Sequence, residues 1–239
     1  MAKKHPEIIL VIPTYNESQN LPLLVEGIDR AIKKESYIVF IIDDGSPDGT
    51  ASLAEKLSKK YPITVFRRAG KLGLGTAYIF GFQEAFKLSP KFIISMDADL
   101  SHDPKYLPIL LKKARAGADI VLGSRYIKGG GVQNWGIHRK IMSRGANLMA
   151  RLALGIPAND LTGAFRCFKT QTLMSLDLES IKSNGYSFLE EILYLCVKQD
   201  FKIQEIPIIF KDRELGASKL SKKEMVKFFW TLIRLRFLR

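Results

Sequence analysis

A chain of 239 residues with 37 Lys and Arg against 24 Asp and Glu carries a formal charge of +13. Its 46% hydrophobic content excludes intrinsic disorder, and two cysteines cannot staple a chain of this length, which excludes a disulfide-built scaffold. The positive surplus leaves three partner classes open, namely nucleic acid, an anionic membrane surface or a polyanion such as a nucleoside diphosphate, beside a plain solubility role.

Strand-length apolar runs alternate with helical patterns. Residues 8–12 (IILVI) are continuously apolar, as in a strand buried on both faces. Residues 18–33 follow with helical spacing at Leu21, Leu24, Val25, Ile28 and Ile32. A second buried strand, 37–42, ends at Asp43-Asp44-Gly45-Ser46-Pro47-Asp48-Gly49, a turn-forming cluster that also starts the helix predicted over 50–60. The pattern then predicts a strand at 63–66, a helix over 73–88 behind a Gly-rich turn, and a strand at 92–96 ending in Asp97-Ala98-Asp99. A helix over 104–115 with Pro in its first turn and a strand at 120–122 follow, the strand ending in Gly123-Ser124-Arg125-Tyr126. After a flexible glycine loop at 128–131 come a helix over 136–154 bearing Arg139, Lys140, Ser143, Arg144 and Arg151, then a strand at 162–169. A helix over 188–199, a strand at 203–210 and a polar stretch over 211–222 complete this half.

This alternation predicts an α/β fold, a mostly parallel sheet flanked by helices on both faces. Ligands of such sheets sit at the carboxyl ends of strands. Residues 13–17, 43–48 and 97–103 are therefore expected to converge on one edge. In the last segment, Lys223, Lys227, Thr231 and Arg234 form one polar stripe on an otherwise apolar helix. It reads either as a helix lying in the headgroup plane, basic residues toward anionic lipid, or as one packed on the core or a partner subunit. The longest run without a charged residue, 72–83, has 12 residues, short of the roughly 18 to 20 that span a bilayer. The opening MAKKHPE has no secretory leader or cleavage pattern, so the cytoplasm is the expected compartment.

Asp97-Ala98-Asp99 carries the sharpest chemistry. Two carboxylates one residue apart, leaving a buried strand, suit Mg²⁺ or Mn²⁺, with water and phosphate oxygens completing the shell. Aspartates are common in turns, and it is the second acidic cluster after another strand that lifts this one. Asp43-Asp44 offers acceptors for a nucleobase or ribose, or caps the next helix, a task equally open to Ser46 or Asp48. Gly73-Leu74-Gly75-Thr76-Ala77 does not match the dinucleotide fingerprint, and no Walker lysine, Ser-His-Asp order or zinc spacing occurs. His102 reads as a solvated loop residue, and Cys167 and Cys196 as core.

Several segments occur together in a fixed order. They are Val11-Ile12-Pro13-Thr14-Tyr15-Asn16-Glu17, Ile42-Asp43-Asp44-Gly45-Ser46-Pro47-Asp48, Lys71 to Ala77, Met96 to His102, Gly123 to Tyr126, Arg139 to Asn147, Asp160 to Gly163 and Gly216 to Leu220. Together they resemble the dolichyl-phosphate (polyprenyl-phosphate) mannose synthases, family 2 glycosyltransferases of the GT-A fold. The resemblance implies a GT-A catalytic domain over 1–220 and a basic amphipathic helix over 221–239. It implies mannose transfer from GDP-mannose to dolichyl or another polyprenyl phosphate, with inversion. By the same resemblance Pro13, Tyr15, Glu17, Ile42 and Asp44 hold the nucleoside, and Asp97, Ala98 and Asp99 form the metal–diphosphate turn. Asp99 and Asp97 are the metal ligands, for Mg²⁺ or Mn²⁺. Arg213 and Lys219 close over the donor, and Arg125, Arg139 and Ser143 receive the acceptor phosphate. Asp97, Asp99, Arg125 and Arg213 are the catalytic set. Ser101 departs from members that carry a metal-ligating Gln there. The membrane-spanning tail of some members is also missing, which shifts attachment to the final helix, a small anchor subunit or both. The expected place is the cytoplasmic face of a membrane, as a peripheral protein. The rivals are the same chemistry with UDP-glucose, a non-catalytic lipid-surface scaffold, and a nucleic-acid binder, the last disfavoured by dispersed basic residues.

Overall fold

The computed structural model describes residues 5–181, 183, 187–212 and 222–237. The chain runs through β1 (Ile8–Thr14), α1 (Leu21–Ile32), β2 (Tyr37–Asp43), α2 (Thr50–Leu57), β3 (Ile63–Arg67), α3 (Leu74–Phe86), β4 (Phe92–Ser95), α4 (Leu107–Arg115) and β5 (Ile120–Ser124). It continues through β6 (Gly131–Gln133), α5 (Ile137–Leu154), β7 (Arg166–Lys169), α6 (Thr170–Met174), α7 (Ser187–Lys198), β8 (Ile203–Pro207), β9 (Ile209–Lys211) and α8 (Lys222–Phe237).

Seven strands form one sheet in the order β3-β2-β1-β4-β7-β5-β8. All neighbours are parallel except β7, which runs antiparallel to both β4 and β5. The continuous apolar run of β1 follows from this position. Ile9 and Val11 pack with α3, α7 and α8 on one face, and Ile8, Leu10 and Ile12 with α1 and α4 on the other. The mostly parallel sheet with helices on both faces is as the alternation predicts. Cys167 and Cys196 are buried, as expected. α3 lies close to the sheet because Gly81 has no side chain; a Cβ there would sit 2.3 Å from Val11 Cγ1.

Three segments differ from the sequence pattern. The strand predicted at 203–210 divides after Pro207, which has no N–H with which to extend the ladder. β8 stays in the main sheet, while β9 pairs in parallel with β6, a strand that starts inside the expected glycine loop. The strand predicted at 162–169 shortens to β7, because side chains hold the residues before it. Leu161 N–H donates to Asn147 Oδ1 (2.7 Å), and Arg166 donates to the carbonyls of Leu161 (2.5 Å) and Gly163 (2.8 Å).

The third difference concerns α8, which packs against α5 and α7. Its polar stripe faces inward where it is described. Thr231 is buried, and Arg234 pairs with Glu191 (2.5 Å) and donates to Ser183 Oγ (2.7 Å). Leu232 and Leu235 are also buried, whereas Phe229, Trp230, Ile233 and Phe237 are exposed. Of the two readings of this helix, the packed one describes Thr231 and Arg234, which anchor it to the protein and turn aromatic and aliphatic residues outward. Among the described residues no helix is long and apolar enough to cross a membrane.

Candidate active site

Register brings the chemistry to one edge. Thr14 lies opposite Asp43 across β1 and β2, and Val11 opposite Ser95 across β1 and β4, so the three parallel strands run toward one edge, β4 ending three residues short of β1. The first two loops are tied by hydrogen bonds. Thr14 Oγ1 donates to Asp43 Oδ1 (3.0 Å), Asn16 N–H to Ser46 Oγ (3.0 Å), Glu17 N–H to Thr50 Oγ1 (3.0 Å) and Ser18 N–H to Asp48 Oδ2 (3.0 Å). Asp43 is thus a scaffold residue that also accepts from Ser46 N–H (2.9 Å); the N-cap of α2 is Gly49, and Asp48 before it accepts from Thr50 N–H (3.0 Å).

Asp44 is buried, and Arg68 Nη1 donates to its Oδ1 (2.7 Å) while Leu72 N–H donates to Oδ2 (3.2 Å). Arg68 is held in turn by Thr76 Oγ1 (2.7 Å). Pro13, Tyr15 and Glu17 are half-buried on this edge, and the Lys71 ammonium lies 4.3 Å from the Tyr15 ring centroid. Ile42 is wholly buried in the cluster beneath α3, so its side chain belongs to the core.

The third loop is the acidic turn. Leu100 adopts φ +61°, a left-handed conformation costly for a branched side chain, directly after Asp99. That bend lets Asp99 Oδ1 accept from both Ser101 N–H (3.1 Å) and Ser101 Oγ (2.5 Å), so Ser101 orients Asp99. Asp97 Oδ1 accepts from the Tyr78 hydroxyl (3.0 Å). Burial, then the Asp97 charge, push the Tyr78 hydroxyl well above the usual phenol range, which keeps it a donor. Ala98 between the carboxylates is buried. His102 is not the solvated residue its loop suggested. It is buried and stacked on Phe165 at 5.3 Å, and its Nδ1 accepts from Asp97 N–H (3.3 Å). Burial pushes its pKa down, so the ring is neutral. The donor chemistry of the turn fits a hard divalent ion. It supplies oxygen donors only, and no group of three His, Cys, Asp or Glu able to cage a metal occurs among the described residues. Mg²⁺ and Mn²⁺ sites of one or two carboxylates leave the remaining positions to water and phosphate oxygens.

A second cluster adjoins the turn through Phe210, whose ring lies 5.4 Å from His102 and 5.2 Å from the Arg125 guanidinium. Arg125 is buried and makes a two-pronged pair with Asp160, both bonds at 2.7 Å, with a third bond to Thr162 Oγ1 (2.7 Å). Burial opposes the charge of Asp160, but the Arg125 charge and hydrogen bonds outweigh it and hold the carboxyl below its usual range. Tyr126 shares a hydrogen bond with Ser143 Oγ (2.6 Å), and Asn147 links the Ser143 carbonyl (2.9 Å) to Thr162 Oγ1 (3.3 Å). Arg139, in the first turn of α5, pairs with Asp212 (2.7 Å) and stacks 4.1 Å from the Trp135 ring centroid. Arg125, Arg139 and Ser143 are thus brought together, whereas Arg213 and Lys219 lie outside the described residues. Sequence reasoning missed Arg68, Tyr78, Trp135 and Asn147 as site residues. It quoted Asn147 and Asp160 within motifs without giving either a role.

The glycosyl transferase family 2 model matches residues 9–176. The polyprenol monophosphomannose synthase of Mycolicibacterium smegmatis is 40% identical over 215 residues, covering 89% of this chain and 80% of that protein. The undecaprenyl-phosphate mannosyltransferase of Micrococcus luteus is 39% identical over 215 residues, covering 90% of this chain and 87% of that protein. Among solved structures, glucosyl-3-phosphoglycerate synthase from Mycobacterium tuberculosis, in complex with Mn²⁺, UDP and glucosyl-3-phosphoglycerate, matches 97% of this chain and 80% of its own. Its TM-score of 0.70 at 18% identity shows a shared fold of the GT-A type.

Proposed function

This chain belongs to glycosyl transferase family 2, and on that premise we propose that it moves mannose from GDP-mannose to dolichyl or another polyprenyl phosphate, with inversion and with a divalent metal. That it is a glycosyltransferase follows from the family and from relatives at 40% identity over most of the chain. The observation that carries the finer reading is a juxtaposition. Phe210 bridges an acidic turn suited to a metal–diphosphate, through His102, and Arg125, which with Arg139 is suited to a second phosphate. The relatives' names supply the polyprenyl phosphate and the mannose, and the Mn²⁺ in the fold neighbour supports the metal.

The chemistry follows from charge. A phosphomonoester has its second pKa near 6, so a lipid monophosphate is already a nucleophile near neutral pH and needs no strong base. One of its oxygens forms the bond to the anomeric carbon, and the bond from that carbon to the diphosphate oxygen breaks, its electron pair leaving with GDP. Pro13, Tyr15, Glu17 and Asp44, with the main chain at Ile42, are assigned to the nucleoside. Asp97 and Asp99, flanking Ala98, would hold Mg²⁺ or Mn²⁺, whose charge offsets that of the leaving diphosphate. Arg213 and Lys219 are assigned to the same diphosphate through the family resemblance. Arg125, Arg139 and Ser143 would seat the acceptor, guanidinium forks matching phosphate oxygens. Two anions must meet for the reaction to proceed, and the cations lower the repulsion between them.

The same reading divides the chain into a catalytic domain, 1–220, and a surface helix, 221–239. It places the protein peripherally at the cytoplasmic face of a membrane. Support comes from the exposed Phe229, Trp230, Ile233 and Phe237 of α8 and from exposed Ile137, Ile141, Leu148 and Leu152 on α5, which packs against it. The test is transfer of labelled GDP-mannose to polyprenyl phosphate with and without Mn²⁺ or Mg²⁺, in competition with UDP-glucose. Label in the lipid phase, dependent on metal and undiminished by UDP-glucose, is the expected result. No transfer, or preference for UDP-glucose, would overturn the assignment.

A further inference from the structure

The two arginines assigned to the acceptor share one indole. Arg139 Cζ lies 4.1 Å and Arg125 Cζ 5.6 Å from the Trp135 ring centroid, both inside the range of about 6 Å at which a cation is attracted to an aromatic face. Trp135 is buried and packed edge-on to Phe210 at 5.6 Å. Phe210 also contacts His102 and Arg125, so the ring is wedged between the acidic turn and the start of α5. Its face sets the separation of the two guanidiniums.

The counter-ions of the two arginines differ. Asp160 engages Arg125 with two side-chain bonds, whereas Arg139 gives Asp212 a single bond from Nη1. Two donors of the stacked pair are left over. Trp135 Nε1–H and Arg139 Nε–H are buried without a hydrogen-bond acceptor among the described residues. Buried donors are nearly always satisfied, and an unmade bond at such a group costs free energy. Arg139 also stands in the first turn of an 18-residue helix, where free N–H groups favour an anion. A phosphate monoester brings three acceptor oxygens and the matching charge.

We propose that Trp135 completes the acceptor-anion site: its ring positions Arg125 and Arg139, and its N–H joins Arg139 Nε–H as a donor to the lipid phosphate. This rests on the polyprenyl-phosphate reading above and adds a residue to it. Trp135→Phe keeps a smaller flat ring and removes the N–H, while Trp135→Leu removes ring and N–H together. The full chain and each variant are titrated calorimetrically with farnesyl phosphate and, separately, with GDP and Mn²⁺. Trp135→Phe should weaken farnesyl phosphate binding about three- to tenfold, the size of one hydrogen bond. Trp135→Leu should weaken it by roughly thirtyfold or more as the stacking is lost too. GDP binding should stay within about twofold in both, because the donor edge is built by other residues. Farnesyl phosphate binding unchanged in Trp135→Leu, or lost in parallel with GDP binding, would overturn the assignment of Trp135 alone. Wild-type affinity in Trp135→Phe would overturn the N–H contact. Failure of the unmutated chain to bind farnesyl phosphate would instead sink the acceptor reading, and this inference with it.

Discussion

The donor edge and the acceptor cluster are built by different means. Strand ends build the donor edge, where parallel register brings the loops after β1, β2 and β4 together. Its carboxylates, Asp44 and Asp99 buried and Asp97 half-buried, are held by neighbouring donors, Asp44 by Arg68 and Leu72, Asp97 by Tyr78 and Asp99 by Ser101. The acceptor cluster has only the short β6–β9 ladder, which carries Phe210, and the end of β5 before Arg125. Side chains hold it, with Asn147 and Arg166 fixing the backbone at 161–163 so that Asp160 and Thr162 meet Arg125. Its cations adjoin a helix surface of exposed apolar residues. A rigid acidic edge suits a soluble, metal-bound donor, and cations beside an apolar surface suit an anion with a hydrocarbon tail.

The strongest way to break this comparison is to disable one side and leave the other intact. Asp99→Ala should reduce metal-dependent turnover about a thousandfold or more, a loss typical of removing charge stabilisation at a leaving group. The circular dichroism spectrum and farnesyl phosphate binding should persist. Full activity in this variant would refute the metal assignment. Arg139→Ala attacks the other side. Losing a charge-assisted contact should raise the acceptor KM roughly ten- to a hundredfold, with the donor KM changed less than about threefold. A larger effect on the donor KM would count against the division of labour.

A third experiment tests the apolar surface. Trp230→Ser with Phe237→Ser removes side chains that are 60% and 76% exposed and lie away from the proposed chemistry. Each apolar side chain withdrawn from a membrane interface forfeits up to about 1.5 kcal/mol. Co-sedimentation with anionic vesicles should therefore fall about tenfold, while turnover of a short, water-soluble acceptor holds. Equal vesicle binding by both proteins would remove α8 from the membrane account.

Much of the donor edge was legible in the sequence, and much of the acceptor cluster was not. Strands such as 8–12 announce themselves by composition, and their order alone predicts where Asp44, Asp97 and Asp99 gather. The residues that orient these carboxylates were hidden. Tyr78 sits in an apolar helix face and Arg68 in a loop, with no local signal that each points at an aspartate. Residues 160–163 belong to no regular element, and periodicity placed the last two of them in a strand over 162–169. The stripe on α8 shows the same limit. Spacing showed that Thr231 and Arg234 share a side of the helix, but only Glu191 and Ser183 decide that this side turns inward.

The smallest expected effect lies behind the acceptor cluster, where Arg166 is fully buried near Glu190. Neither Glu190 carboxyl oxygen has a hydrogen-bond partner among the described residues. Burial pushes the Glu190 carboxyl up to about 8, against an opposing pull from Arg166, so at neutral pH the folded chain holds it mostly protonated. The folded pKa lies above the ordinary value of 4.5, so burying this group costs little below pH 4.5. The cost grows between pH 4.5 and about 8, where the unfolded chain gains by ionising and the folded chain does not. Glu190→Gln removes that dependence but leaves a buried amide that also lacks partners, which offsets part of the gain. The expected net is about 1–2 kcal/mol of added stability at pH 8.5, or roughly 3–6 °C in Tm for a chain of this size. The difference should reverse sign at pH 5, where most of the ionisation cost is gone and the unpaired amide remains. Scanning calorimetry of both proteins at the two pH values reads this directly, and a Tm difference independent of pH would mean that Glu190 is ionised in the fold and paired with Arg166. The acceptor cluster would then rest on a second buried ion pair beside Arg125–Asp160, and its contrast with the donor edge, where Arg68 pairs with Asp44, would narrow.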